Sequence, residues 1–273
     1  MVGTGASGGD IFAKMKGQGM GALALVTAGA SALGRDMVLA LAGAGHAVAF
    51  THLGQGEAAA GLVAAVERGG GRALAVESDA GDEAQVLEFH RRAADWAGGA
   101  PKVLVNNAGV QTWAPLVDLE VADWDRVMAT NLRGTFLNTR TAARAMIAAG
   151  SGGAVITLGS GCNRHAFPRL VDYTASKGGI EQFTKVAAVE LGPHGIRVNC
   201  LAPGAIATER TAREAGDYAA TWAAVTPLRR VGTPADLTGP LLFLISDAAA
   251  FVTGQTLWVD GGAFSQANWP YPT

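Results

Sequence analysis

Residues 22–34 read Ala-Leu-Ala-Leu-Val-Thr-Ala-Gly-Ala-Ser-Ala-Leu-Gly, and this stretch decides the fold. Its first half, over 22–27, is an uncharged apolar run typical of a buried strand, and a turn of small residues follows. A helix pattern then runs over 35–44. Small side chains let the backbone of such a turn approach a phosphate at the helix N-terminus, so the segment predicts a nucleotide site. The same composition also fits a simple tight connection.

The alternation of short apolar runs and longer helical stretches continues along the chain. Further strands are predicted at 47–51, 73–77, 103–105, 153–158, 197–201 and 256–259, and further helices at 57–68, 83–96, 121–149 and 173–191. Continuous apolar strands joined by helices are typical of buried parallel sheets. We therefore predict a single-domain, doubly wound α/β fold of about seven strands, with helices on both faces, over residues 21–262. Residues 1–20 are expected to be a flexible leader, and 263–273 a C-terminal tail.

The composition restricts the classes of partner. Only 16% of the 273 residues are charged, against about 25% in ordinary domains, which suggests that subunits cover part of the surface. The formal net charge is −2 and no long basic run occurs, so we expect neither nucleic acid nor a membrane as a partner. Cys162 and Cys200 show no metal-ligand spacing. They indicate a reduced, cytoplasmic setting and no metal.

Polar residues follow the third and fourth predicted strands. Asp79 comes just after one and Asn106 just after the other, at the edge where ligands bind in open α/β sheets. Asp79 is placed to accept a hydrogen bond from an adenine amino group, or else to cap the next helix. Asn106 is placed to contact a ligand, or to tie neighbouring strands together as a buried amide.

A possible catalytic group lies in the second half of the chain. Tyr173 and Lys177 are four residues apart and share one helix face, so we expect the ammonium to lower the phenol pKa from about 10. Ser160 follows the fifth strand and could hold a substrate oxygen beside the phenol. Asn131, in the middle of a helix, is expected to distort that helix and hold a water that relays protons from Lys177. A Tyr–Lys pair alone is also common on surface helices.

These motifs resemble the short-chain dehydrogenase/reductase family over nearly the whole chain. The resemblance implies a nicotinamide cofactor and hydride transfer to or from a carbon that bears oxygen. It implies that Tyr173 is the acid/base, that Lys177 holds ribose hydroxyls, that Ser160 orients the carbonyl oxygen and that Asn131 anchors the proton relay. The cofactor-binding residues carried over from the family are Gly29, Ser31, Leu33, Gly34, His52, Asp79, Asn106, Ala108, Gly109, Tyr173, Lys177, Pro203, Ile206 and Thr208, with Ile206 and Thr208 beside the nicotinamide carboxamide.

Two departures from the family pattern concern the cofactor. Ala28 and Ala32 stand where the family usually has glycine, and their methyl groups are expected to narrow the approach of the pyrophosphate. The second strand ends in 50–55, Phe-Thr-His-Leu-Gly-Gln, without the carboxylate that accepts from the ribose of NAD. We therefore expect NADP as the cofactor, with NAD also possible. His52 is placed to donate to the 2′-phosphate, or is an ordinary strand-end histidine.

The substrate is less well defined by the sequence. Ser160, Asn163, Arg164 and Tyr173 are the expected substrate contacts, and hydrogen-bonding side chains suit a sugar or polyol. Arg164 and His165 facing solvent is equally compatible. The pattern is similar to aldose 1-dehydrogenases, such as those for L-rhamnose or glucose, and 3-oxoacyl thioester (acyl carrier protein) reductases look much alike. A hypothesis of another class is a catalytically silent nucleotide-binding regulator.

The quaternary state is also an expectation from the resemblance. Helices 121–149 and 173–191 carry few charges and would form the faces of a homotetramer. The tail carries Trp269 and Tyr271, which would cover the pocket, reach a neighbouring subunit or remain loosely ordered.

Overall fold

The computed structural model describes residues 22–214 and 216–266. The predicted leader, over 1–20, and the tail residues Trp269 and Tyr271 lie outside the described residues. Among the described residues, no helix has both the length and the apolar character that crossing a membrane requires.

One parallel sheet of seven strands forms the centre of the structure. The strands are β1 Leu23–Val26, β2 Ala47–His52, β3 Arg72–Glu77, β4 Pro101–Asn106, β5 Gly153–Leu158, β6 Ile196–Pro203 and β7 Thr256–Val259. Their order across the sheet is β3-β2-β1-β4-β5-β6-β7, and every neighbouring pair is parallel. The order reverses direction between β1 and β4, and such a switch point opens a crevice at the carboxyl edge of the sheet.

Helices cover both faces of the sheet. They are α1 Ala32–Gly43, α2 Gly56–Arg68, α3 Glu83–Ala97, α4 Val121–Val127, α5 Gly134–Ala148, α6 Val171–Leu191, α7 Glu209–Glu214, α8 Tyr218–Val225 and α9 Thr238–Ile245. Met37 and Leu41 of α1 belong to the apolar core on one face, and Phe89 and Met146 to the core on the other. Because both faces of the strands are buried, their sequences are continuous apolar runs.

The predicted fold class is confirmed, with three differences in detail. The first helix begins at Ala32 rather than at residue 35, because the Ser31 hydroxyl accepts from Gly34 N at 3.2 Å and caps it. Three short helices, α7 to α9, fill the segment between β6 and β7, for which the sequence had predicted no element.

The predicted continuous helix over 121–149 is interrupted. A π-helical turn, Met128–Arg133, separates α4 from α5 and contains Asn131. The predicted distortion around Asn131 is therefore present, and α4 and α5 are two helices joined by a wider turn.

Candidate active site

The turn between β1 and α1 is held by hydrogen bonds from both neighbouring strands. On the β2 side, Thr51 accepts from Ala28 N through Oγ1 at 2.9 Å and from Gly29 N through its main-chain oxygen at 2.8 Å. On the β4 side, Asn107 Nδ2 donates to the main-chain oxygens of Thr27 and Ala28, both at 3.0 Å. Asn107 was missed as a site residue, although it stands in the Asn106–Gly109 motif.

The two remaining glycines of the turn have no room for a side chain. A Cβ on Gly29 would lie 2.6 Å from Phe50 Cβ, and one on Gly34 would lie 2.3 Å from Ala28 O. Ala28 itself has φ +51°, a left-handed conformation that costs roughly 1–2 kcal/mol for a residue with a Cβ. Ala32 lies inside α1 and carries no such strain. The departure at Ala28 therefore acts through the backbone.

Three other predicted cofactor residues lie in or beside this turn. Ser31 Oγ accepts from Gly34 N and from Asn107 Nδ2, both at 3.2 Å. Ala108 N donates to Thr27 Oγ1 at 2.9 Å, and Leu33 packs against the apolar core. These contacts fix the start of α1, where free main-chain N–H groups favour an anion.

Buried polar atoms without partners collect at the carboxyl ends of β2, β3 and β4. His52 Nδ1, Ser78 Oγ and Asn106 Oδ1 have no hydrogen-bond partner in the described structure, although each residue is at most 9% exposed. A buried polar atom left unpaired costs about 1–3 kcal/mol. Groups of this kind at this edge fit a ligand rich in polar atoms, as a dinucleotide is. The Asn106 amide nitrogen donates to Thr139 Oγ1 at 2.9 Å, so this residue also ties strand to helix.

Asp79 lies in the turn that follows β3. Its Oδ1 accepts from Gly81 N at 2.8 Å, while Asp82 caps α3 by accepting from Gln85 N at 3.0 Å. The helix-capping alternative for Asp79 is therefore wrong.

A carboxylate does stand beside the end of β2, although β2 contributes none. Glu77, the last residue of β3, is opposite His52 in the sheet register, and its Oε1 accepts from Gly54 N at 3.1 Å. The sequence reasoning missed it because it considered only the residues of 50–55.

Tyr173 and Lys177 lie one turn apart on α6, facing the end of β5. Lys177 Nζ lies 5.4 Å from the Tyr173 ring centroid and donates to Leu158 O at 2.7 Å. Lys177 is 3% exposed, whereas Tyr173 is only partly buried. The Ser160 side chain hydrogen bonds to Tyr173, so the predicted trio meets in space. Gly109 borders the group, since a Cβ there would lie 3.7 Å from Lys177 Nζ.

Asn131 forms the back of this cluster. Its Oδ1 accepts from Val110 N at 2.8 Å, and its Nδ2 donates to Val110 O at 2.9 Å and to Ser176 Oγ at 3.0 Å. Ser176 Oγ in turn donates to Tyr173 O at 2.8 Å. Ser176, which the sequence reasoning did not single out, therefore links Asn131 to the backbone of the phenol-bearing residue.

The pKa of each catalytic candidate is shifted by burial. Burial raises the pKa of Tyr173 to about 12, against the lowering effect of the hydrogen bond from Ser160, and it lowers the pKa of Lys177 to about 8. The expectation that the protein itself lowers the phenol pKa is wrong, because desolvation of the phenolate outweighs the favourable contacts.

The three predicted residues after β6 lie at the same edge of the sheet. Pro203 ends β6, and Ile206 is buried and forms an isolated parallel bridge with Gly232. Thr208 exchanges hydrogen bonds with Thr211: its N donates to Thr211 Oγ1 at 2.8 Å, and its own Oγ1 accepts from Thr211 N at 3.1 Å.

The predicted substrate contacts separate into two groups. Ser160 and Tyr173 meet at the cluster. The polar atoms of Asn163 are used by the protein, since Oδ1 accepts from Ser160 N at 3.1 Å and Nδ2 donates to Cys200 Sγ at 3.7 Å. Asn163 is therefore reassigned to positioning the Ser160 loop. Arg164 is exposed, in agreement with the solvent-facing alternative.

Four aromatic side chains near Ser160 were missed as site residues. They are Phe167, Tyr218, Trp222 and Phe264, and we call them the aromatic wall. They come from the loop after β5, from α8 and from the segment after β7. No single sequence motif contains them.

A nucleotide turn and a Ser–Tyr–Lys cluster on one edge of a seven-stranded parallel sheet define a dinucleotide-dependent oxidoreductase. A family model described as enoyl-(acyl carrier protein) reductase matches residues 27–263. The chain belongs to the short-chain dehydrogenase/reductase family, and both the predicted family and the predicted oxidoreductase class are confirmed.

Individual relatives cover almost the whole chain. An L-rhamnose 1-dehydrogenase (NAD(P)(+)) of Sphingomonas sp. (strain SKA58) is 35% identical, over 89% of this chain and 96% of that protein. A (-)-isopiperitenol/(-)-carveol dehydrogenase of Mentha piperita is 40% identical, over 89% and 93%. The structure of a gluconate 5-dehydrogenase from Burkholderia cenocepacia J2315 in complex with NADP and tartrate has a TM-score of 0.86 at 34% identity, covering 93% of this chain and 100% of that one.

Proposed function

We propose that the protein interconverts an alcohol and a carbonyl compound with a nicotinamide cofactor, NADP being accepted and NAD possible as a second cofactor. The observation that carries the proposal is the meeting of Ser160, Tyr173 and Lys177 beside the nucleotide turn, with Asn131 bonded behind them. Catalysis is assigned to these four residues.

The residues divide the proton chemistry among themselves. When bound, the oxidised nicotinamide accepts a hydride from the carbinol carbon and adds a positive charge to the site. Tyr173 removes the hydroxyl proton as the carbonyl forms, and Ser160 donates a hydrogen bond to the same oxygen. Lys177 uses one ammonium donor on Leu158 O, which leaves donors for ribose hydroxyls and for a proton relay along Asn131.

The cofactor assignment rests on the carboxyl edge. The main-chain N–H groups at Ser31, Leu33 and Gly34 would hold the pyrophosphate, and the unpaired atoms of His52, Ser78 and Asn106 would meet the nucleoside. Gly29, Asp79, Ala108, Gly109, Pro203, Ile206 and Thr208 complete the proposed cofactor set. Acceptance of NADP is supported by the absence of a carboxylate within β2 and by the NADP complex of the related gluconate 5-dehydrogenase.

Oxidation of an aldose at C1 to the lactone is the first substrate class to test. It is supported by the similarity to L-rhamnose 1-dehydrogenases, two of which are 35% and 36% identical to this chain. Reduction of a 3-oxoacyl thioester is the second. It is supported by the acyl-carrier description of the matching family model and by a 35% identical 3-oxoacyl-[acyl-carrier-protein] reductase.

The test is a substrate panel with each cofactor, followed by the reduced-nicotinamide absorbance. L-rhamnose and glucose with NADP or NAD, and acetoacetyl thioester with the reduced cofactors, should separate the two classes. Tyr173→Phe should reduce turnover by about 10²- to 10⁴-fold while the dissociation constant of the cofactor changes little. Cofactor binding without turnover of any alcohol or carbonyl compound would instead favour the silent regulator.

The association state and location are proposed together with the function. Val186 and Val189 of α6 are 58% and 77% exposed, which supports burial of that helix between subunits of a homotetramer. A monomer in light scattering would contradict this. Both cysteines are free and buried, in keeping with a reduced cytoplasmic location, which cell fractionation would test.

A further inference from the structure

The rings of the aromatic wall contact one another. Phe167 and Trp222 have centroids 6.3 Å apart, Phe167 and Phe264 meet edge to face at 5.9 Å, and Trp222 and Phe264 meet at 6.4 Å. Tyr218 lies 6.3 Å from Trp222. None of the four is fully buried, so the group is a partly exposed surface rather than part of the core.

This wall stands against the catalytic cluster. Phe264 lies on the backbone that follows Ser160, since a Cβ on Gly161 would come within 2.3 Å of the Phe264 ring. Phe167 belongs to the loop that connects Ser160 to Tyr173. Tyr218 is close enough to Tyr173 to raise the pKa of its phenol. A substrate whose oxygen reaches Ser160 and Tyr173 therefore has these rings beside it.

The polar side chains of the same loop are directed elsewhere. Asn163 is bonded to Ser160 N and Cys200 Sγ, as described above. His165 Nε2 lies 3.4 Å from Phe264 O, and its ring centroid is 5.5 Å from that of Phe264. Arg164 is exposed. The loop thus presents rings to the site and uses its hydrogen-bonding groups to hold those rings in place.

We propose that the aromatic wall selects a cyclic substrate by packing against an apolar face of its ring. The inference rests on the proposed function and names its substrate class: a cyclic alcohol, or a sugar in its cyclic hemiacetal form, over an open-chain polyol or a linear acyl thioester. Flat aromatic surfaces gain contact area and dispersion energy from a ring that lies flat on them, and a linear chain covers less of that surface.

Matched ring and open-chain alcohols test the selection. Cyclohexanol is compared with 2-hexanol, and L-rhamnose with L-rhamnitol, each with NADP and with NAD. The expected result is a kcat/KM about tenfold higher for the cyclic member of each pair, the scale of one good aromatic contact. Equal or higher values for the open-chain members would overturn the inference.

Substitutions of the wall separate packing from chemistry. Trp222→Leu and Phe264→Leu should raise KM for the cyclic alcohols about tenfold with kcat little changed, and should leave the open-chain KM within a factor of about two. Trp222→Phe keeps a ring and should restore most of the loss. Phe251→Leu is the control, because Phe251 is fully exposed just before β7, away from the carboxyl edge. A uniform rise of KM for both kinds of alcohol would count against ring selection.

A binding measurement keeps the two proposals distinguishable. The same alcohol pairs are titrated calorimetrically into the Tyr173→Phe variant saturated with cofactor. Tighter binding of the ring members supports the wall even where the wild-type protein turns over none of them, an outcome that would remove the proposed function alone. Absence of any ring preference in binding would remove the inference while leaving the alcohol chemistry intact.

Discussion

The two ends of the site are built in different ways. At the cofactor and proton-transfer end, side chains such as Asn131 and Lys177 are buried and held by hydrogen bonds of 2.7–3.0 Å. At the substrate end, rings from three separate segments contact one another at 5.9–6.4 Å and remain partly exposed. The first construction fixes atoms for one reaction, and the second offers a surface that single substitutions can reshape.

Asn131→Ala should show the largest effect at the rigid end. It leaves Val110 N and O and Ser176 Oγ without their partner, so urea denaturation should show a loss of about 2–4 kcal/mol in the free energy of unfolding. Turnover per folded molecule should also fall, and its pH profile should shift, because the relay behind Lys177 is broken.

Asn199→Ala is the matched control for that variant. Asn199 is equally buried and bonds to Val252 O at 2.9 Å and Gln255 N at 3.0 Å, on the far side of β6 from the cluster. It should lose similar stability and keep the wild-type pH profile. Identical profiles for both variants would reduce Asn131 to a structural role.

Glu77→Gln should sharpen the description of the cofactor edge. Its carboxylate holds Gly54 N in the loop after β2, and a negative charge there opposes a 2′-phosphate. Removing the charge should raise the NADP-to-NAD ratio of kcat/KM about 2- to 5-fold. Glu67→Gln, on the exposed side of α2, should leave the ratio unchanged; an unchanged ratio in both would show that Glu77 does not reach the phosphate.

Ala28→Gly should show the smallest effect. Relief of the left-handed strain, offset in part by the flexibility of glycine in the unfolded chain, should raise the free energy of unfolding by about 0.5–1 kcal/mol. Ala32→Gly, one turn residue further on, lies within α1 and should lower it by about 1 kcal/mol. Thermal denaturation of the two variants should therefore shift in opposite directions.

The difference between the two ends also explains what the sequence predicts well. The strand–turn–helix of residues 22–34 and the Tyr173–Lys177 spacing are local patterns, so the sheet and the catalytic pair follow directly from them. Asn163 has the composition of a substrate ligand, yet its partners, Ser160 N and Cys200 Sγ, are set by tertiary packing. The aromatic wall joins Phe167 to Phe264 across almost a hundred positions, a distance that no local pattern covers.

The single π turn at Met128–Arg133 sets the rotational phase of the helix that follows it. Each residue of an α-helix turns the chain by about 100°, so deleting one residue here would restore regular winding and rotate α5 by that angle relative to α4. Leu137 and Met146 would then swing off the sheet, or Asn131 would leave Val110. Length changes that surface loops accept are therefore barred from this stretch, even where the substituted residues themselves would be tolerated.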